Sequence, residues 1–188
     1  MKQHTIKSSF SFESKGLHTG LYIHATFSPA PPNTGIRICR ADLPGQPTYE
    51  ALADYVTATE RGTVLEYGVW KVSTVEHALS ALYAMGVDNC LISVDAPEMP
   101  ILDGSAKYYI QSIEQVGLQE QDAEQKVYVV KEPIEYLSEH GNKMMILPCD
   151  HYEAEVTITY PTGILREQQA ELRDLSDYKR ELSLARTF

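Results

Sequence analysis

A chain of 188 residues, 43% hydrophobic and 22% charged, is long enough for one large domain or one and a half smaller ones with a real core. Its formal net charge of −10, with no Lys/Arg cluster longer than a pair, argues against nucleic acid, whose backbone attracts the opposite sign. No apolar run is long enough for a bilayer span or a signal peptide, and Cys39, Cys90 and Cys149 are too scattered for a disulfide framework or a thiolate zinc site, so the expected compartment is the reducing cytoplasm.

Residues 3–13 alternate enough to predict a strand or short hairpin burying Ile6, Phe10 and Phe12. Gly16-Leu17-His18-Thr19-Gly20 then interrupts, and its two glycines predict a tight turn or a backbone that something approaches closely. Leu21 to Phe27 reads as a half-buried strand with Ile23, Ala25 and Phe27 on one face. Residues 29–35 are a loop by composition, and Ile36 to Arg40 resumes as a strand. The 41–62 stretch is turn-rich, and Val64 to Val72 predicts a hairpin around Tyr67-Gly68.

The hairpin delivers the chain to Ser73-Thr74-Val75-Glu76-His77. Ser73 and Glu76 have capping-box spacing, and Val75, Leu79 and Leu82 recur at helical intervals before Gly86. An imidazole in the first turn of a helix is biased toward its neutral form, which is the form that binds metal. Glu at such a position is also common purely as a cap, and a lone His is more often structural, so this spacing alone leaves both readings open.

Cys90 to Val94 predicts a strand, and the prolines of Asp95-Ala96-Pro97-Glu98-Met99-Pro100 forbid helix beyond it. A second helix follows, with Asp103 or Ser105 as cap, Tyr109, Ile110, Ile113 and Val116 as its apolar face, and Gly117 as its stop. The polar stretch 119–125 is the expected linker. Beyond it the sequence predicts a strand at 126–130, a hairpin over 134–147 turning at Glu139–Asn142, a strand at 154–160 and a helix over 176–185. One helix is too few to cover such a sheet, so the second unit reads as the beginning of a larger one.

Five stretches carry a resemblance: 16–20, 29–35, 73–77, 96–106 and Ala185-Arg186-Thr187-Phe188. In that order they resemble the zinc-dependent UDP-3-O-acyl-N-acetylglucosamine deacetylases of lipid A synthesis. The resemblance implies an α+β fold of two similar domains, each a β-sheet with two helices, with the active site between them. Residues 1–120 would form the first, 119–125 the linker and 126–188 the start of the second. It implies Zn²⁺ as cofactor, an acylated UDP-N-acetylglucosamine as substrate, and a cytoplasmic monomer without nucleic acid or membrane span. Carried over by position, Glu76 is the general base, His77 a zinc ligand, and Thr187 the hydroxyl that stabilises the oxyanion. Leu17, His18, Thr19 and Phe188 face the substrate, while Asp103 matches a buried polar position.

The family completes its zinc site with a second His and an Asp four residues later, beyond Arg-Thr-Phe. These 188 residues do not include that pair, so the expectation is one wall of a metal site and little or no activity from this chain alone. His151 and Glu155 have the spacing but sit at a predicted strand, where four residues span roughly 13 Å, too far to grip one ion. Two other readings stand beside the deacetylase: a non-catalytic binding module of the same fold, and the N-terminal part of a fusion with a hydroxyacyl-carrier-protein dehydratase.

Overall fold

A computed structural model describes residues 1–160 and 166–186. The fold is α+β, in two compact units: Met1–Gln125 with the chain from Lys179 onward, and Lys126–Tyr178. The first contains β1 (Lys2–Ile6), β2 (Phe10–Lys15), β3 (Tyr22–Pro29), β4 (Ile36–Arg40), β5 (Thr48–Glu50), β6 (Val56–Ala58), β7 (Val64–Tyr67) and β8 (Trp70–Ser73). Helix α1 (Glu76–Ala84), β9 (Cys90–Val94), α2 (Lys107–Val116) and β10 (Leu118–Glu124) complete it.

Five strands form the main sheet in the order β2-β3-β9-β4-β5, antiparallel except where β4 runs parallel to β9. The alternation of β3 explains its place inside the sheet, because Ile23, Ala25 and Phe27 are fully buried on one face. Helix α2 lays Tyr109 against that face, with ring centroids 5.1 Å from Phe12 and 5.6 Å from Phe27, and α1 packs beside α2. Burial of each such large side chain is worth about 1.5–3 kcal/mol before entropy is counted. The β7–β8 hairpin turns through Gly68 and Val69, between paired Tyr67 and Trp70. Trp70 is fully buried and its indole N–H donates to Ile38 O at 2.9 Å, fastening the hairpin to the main sheet.

Of the strand and hairpin alternatives for residues 3–13 the hairpin does not form, and most of 119–125 is strand, with the division between the units at its end. The reason is shared: β1 and β2 belong to different sheets, and β1 pairs antiparallel with β10 from Ile6↔Leu118 to Lys2↔Glu124. Gln121 within β10 and Gln125 just after it are used inward. The Gln121 amide donates to Ala30 O and its oxygen accepts from buried Asn89, while the Gln125 amide donates to Asp88.

In the second unit β11 (Ile134–Leu137) pairs with β12 (Lys143–Ile146), and β13 (Ala154–Ile158) pairs with β14 (Gln168–Leu172). The strand expected at 126–130 is absent, since no chain pairs there and Val127, Tyr128 and Val129 are exposed. The expected 176–185 helix shortens to a 3₁₀ turn at Leu175–Asp177, capped by Asp174 through Ser176 N at 2.8 Å, and α3 (Tyr178–Glu181). Among the described residues no helix is long and apolar enough to cross a membrane.

Candidate functional site

The site is built where β8 is stopped. Ser73 N donates to Pro97 O at 2.9 Å and Met99 N to Ser73 O at 3.0 Å, so the end of β8 runs beside the 97–99 segment. Thr74 then turns the chain with φ +58°, a left-handed conformation uncommon for a β-branched residue. Strain of this kind costs on the order of 1–3 kcal/mol and tends to persist at functional sites. Helix α1 therefore starts at Glu76, with Val75 as its cap residue. The expected capping box does not form, because Ser73 is the last strand residue and donates its hydroxyl to Pro97 O instead.

Glu76 and His77 are thus the first two residues of α1, both half-buried. One Glu76 oxygen accepts from Thr63 N at 3.0 Å, which fixes the carboxylate. Among the described residues the His77 imidazole has no hydrogen-bond partner. Across from them the loop between β2 and β3 brings in His18, whose Nε2 lies 2.8 Å from Arg61 O. A carbonyl only accepts, so that nitrogen carries the proton. Gly62 sits at the centre: a Cβ there would lie 3.4 Å from Glu76 Oε1, 3.7 Å from Thr74 Oγ1 and 3.8 Å from His18 Nε2.

Glu98 holds this arrangement in register. Its side chain is fully buried and accepts from His18 N (2.9 Å), Thr19 N (2.9 Å), Thr19 Oγ1 (2.6 Å) and Thr74 Oγ1 (3.3 Å). Burial alone pushes the carboxyl's pKa up, but the Thr19 hydroxyl and the His18 and Thr19 amides outweigh it and hold Glu98 below the ordinary 4.5. One ionised carboxylate therefore ties the 16–20 loop to Thr74, two residues before α1. Gly16 is required by the same contact, since a Cβ on it would lie 2.3 Å from Glu98 Oε2.

Of the residues singled out by sequence, Glu76 and His18 come together around this point, and His77 follows Glu76 on the first turn of α1. Leu17 is 46% exposed, and Thr19 turns its amide and hydroxyl onto Glu98. Thr187 and Phe188 lie outside the described residues. Arg186 before them pairs with Asp103 at 3.3 Å. Asp103 accepts from the Ser105 amide and hydroxyl, and Ser105 Oγ in turn accepts from Lys107 N, the first residue of α2. Its carboxyl sits below the ordinary range: burial pushes it up, and the Ser105 hydrogen bonds with the nearby Arg186 and Lys107 charges outweigh that. Sequence reasoning missed Glu98 and Thr74 as parts of the site. A signal for Glu98 existed, because a lone acid between Ala96-Pro97 and Met99-Pro100 has apolar neighbours and no local partner.

Of the possible donors at this place, His18 Nε2 is taken by Arg61 O and a Glu76 oxygen by Thr63 N, which leaves the His77 imidazole as the one expected ligand. A catalytic zinc takes three protein ligands, so the described residues fit one corner of such a site and no more.

The family model for UDP-3-O-acyl N-acetylglycosamine deacetylase matches residues 3–188. The chain belongs to this family. It is 51% identical over its whole length to a "Bifunctional enzyme LpxC/FabZ" of Bacteroides thetaiotaomicron and to one of Porphyromonas gingivalis, covering 41% of each. It is 37% identical, over 99% of its length, to a "UDP-3-O-acyl-N-acetylglucosamine deacetylase" of Bdellovibrio bacteriovorus, covering 62% of that protein. The chain thus spans between two fifths and two thirds of these relatives. For this deacetylase-family chain, the α+β fold expected from sequence is the fold observed.

Proposed function

We propose that the protein carrying this chain removes the N-acetyl group of UDP-3-O-acyl-N-acetylglucosamine, releasing acetate and the free amine in lipid A synthesis. The observation that carries this reading is the pairing of Glu76 and His77 on the first turn of α1, with the Glu76 carboxylate aimed by Thr63 N beside His18. Glu76 takes the proton of the attacking water as general base and returns it to the leaving amine. His77 supplies one ligand for zinc, which when bound contributes Lewis acidity toward water and carbonyl. His18, with Leu17 and Thr19 on a loop locked by Glu98, borders the substrate. Thr187 donates to the oxyanion, and Phe188 lines the substrate site. Met1–Gln125 with residues from Lys179 act as the first of two domains and Lys126–Tyr178 belong to the second, in a cytoplasmic monomer.

Acetate release by the full polypeptide that carries these residues tests the reading. Replacing Glu76→Gln should cut turnover by about 10²–10⁴ with zinc content unchanged, as expected for loss of a general base. Near-normal turnover in that variant would remove Glu76 from the mechanism. The 188-residue chain alone should show negligible turnover and only weak zinc binding that His77→Ala abolishes at this site. Normal turnover from the isolated chain would overturn the reading of a single-ligand corner. The two relatives named bifunctional support a second reading, in which the same polypeptide carries a further activity beside the deacetylase.

A further inference from the structure

The chain between β6 and β7 reaches the site with its backbone and leaves one strong cation unpaired. Arg61 takes φ +61°, in the left-handed region that few non-glycine residues adopt, and Gly62 follows at φ +147°. Two hydrogen bonds hold this turn against the site. His18 Nε2 donates to Arg61 O at 2.8 Å, and Thr63 N donates to Glu76 Oε2 at 3.0 Å. The Arg61 side chain is therefore rooted one residue from Gly62, the position that neighbours Glu76, Thr74 and His18.

The guanidinium itself has no partner. Arg61 is exposed, and among the described residues no carboxylate or carbonyl pairs with it, its neighbour Glu60 included. Every other arginine of the first unit is paired: Arg37 with Glu50, Arg40 with Asp42, Arg180 with Glu181 and Arg186 with Asp103. The sequence holds 26 acidic residues against 16 basic ones, so internal partners for a cation are plentiful. An open guanidinium is thus the exception in this unit, and it stands beside the site.

The surroundings give that cation a task. An anionic substrate entering here meets Glu76, the ionised Glu98 and a net charge of −10, all of which repel it. A nucleotide sugar of the kind proposed above carries its diphosphate on the ring carbon adjacent to the one that bears the acetamide. Holding the acetamide at Glu76 therefore brings the diphosphate toward the Arg61 turn. A guanidinium fork engages phosphate oxygens two at a time, which a point charge cannot do.

We propose that Arg61 is a specificity-determining residue of this site, binding the substrate diphosphate through its guanidinium while its carbonyl holds His18. The inference rests on the deacetylase reading. The carbonyl survives any substitution, so a change of side chain removes the anion contact and leaves the ties to His18 and Glu76 in place.

Binding of UDP and of uridine to the full polypeptide, measured by calorimetry, tests the contact without need of turnover. Arg61→Gln should weaken UDP about 10–100-fold and leave uridine unchanged, the loss expected for hydrogen bonds to a charged group. Arg61→Lys should recover part of the loss, because it keeps the charge without the fork. In acetate-release assays Arg61→Gln should raise KM by about the same factor with kcat unchanged. Unchanged UDP affinity, equal weakening of UDP and uridine, or a fall in kcat at constant KM would each overturn the assignment. A wild type that releases no acetate but shows the UDP effect would remove the deacetylase reading and leave the anion contact standing.

Discussion

Glu98 shows how a single side chain organises the site without touching the reaction. Four donors from two loops converge on one buried carboxylate, and an amide in its place cannot accept from all of them. Glu98→Gln should therefore destabilise the fold by about 2–3 kcal/mol, the range for lost hydrogen bonds to a charged group. The pH dependence has a definite sign. The folded pKa lies below the ordinary 4.5, so the unfolded chain binds more protons between the two values and stability rises with pH there. The contribution is complete above 4.5 and is lost as pH falls through the folded pKa. Urea unfolding of wild type and Glu98→Gln should show a constant gap from pH 7 to 5 that closes below about 4.5. A gap that widens on acidification would mean the carboxylate is not the stabilised form.

At the scale of elements, what was legible in the sequence followed from local signals. The alternation of β3, the β7–β8 hairpin and the buried face of α2 each need only their own residues, and all three form as expected. The β1–β10 pair does not, because its partners lie more than a hundred residues apart and β10 is polar along its length. Pairing there is directed by Asn89, which is 1% exposed. Its side-chain oxygen accepts from Gly35 N at 2.9 Å, and its amide donates to Gln3 at 2.9 Å and Gln121 at 2.8 Å. Within the site, Glu76, His77 and His18 stood out as residue types in a motif. Glu98 did not, since its meaning depends on loops 80 residues away in sequence. The α1 start was misplaced because Ser73 has the right spacing for a cap but is claimed by Pro97. Asn89→Leu keeps the volume and strands several polar groups at 1–3 kcal/mol each, so a total loss of about 3 kcal/mol or more is expected in denaturant melts. A loss below about 1 kcal/mol would show that β10 is held by its backbone ladder alone.

Over the molecule as a whole, the two units differ in what holds them. The first buries Trp70, Tyr109, Phe27 and a set of aliphatic side chains around a five-stranded sheet. The described strands of the second form two separate hairpins, with Ile134, Tyr136, Met144, Ile146, Val156 and Ile158 all exposed. A lone two-stranded hairpin is marginal in water, and amides without a packed layer above them exchange through local opening. Hydrogen exchange of this chain should therefore divide along the same boundary. Amides of β3, β4 and β9 should be protected up to the global unfolding free energy, whereas those of β11 and β12 should exchange within about 0–3 kcal/mol of openness. Uniform protection of both units would contradict the division.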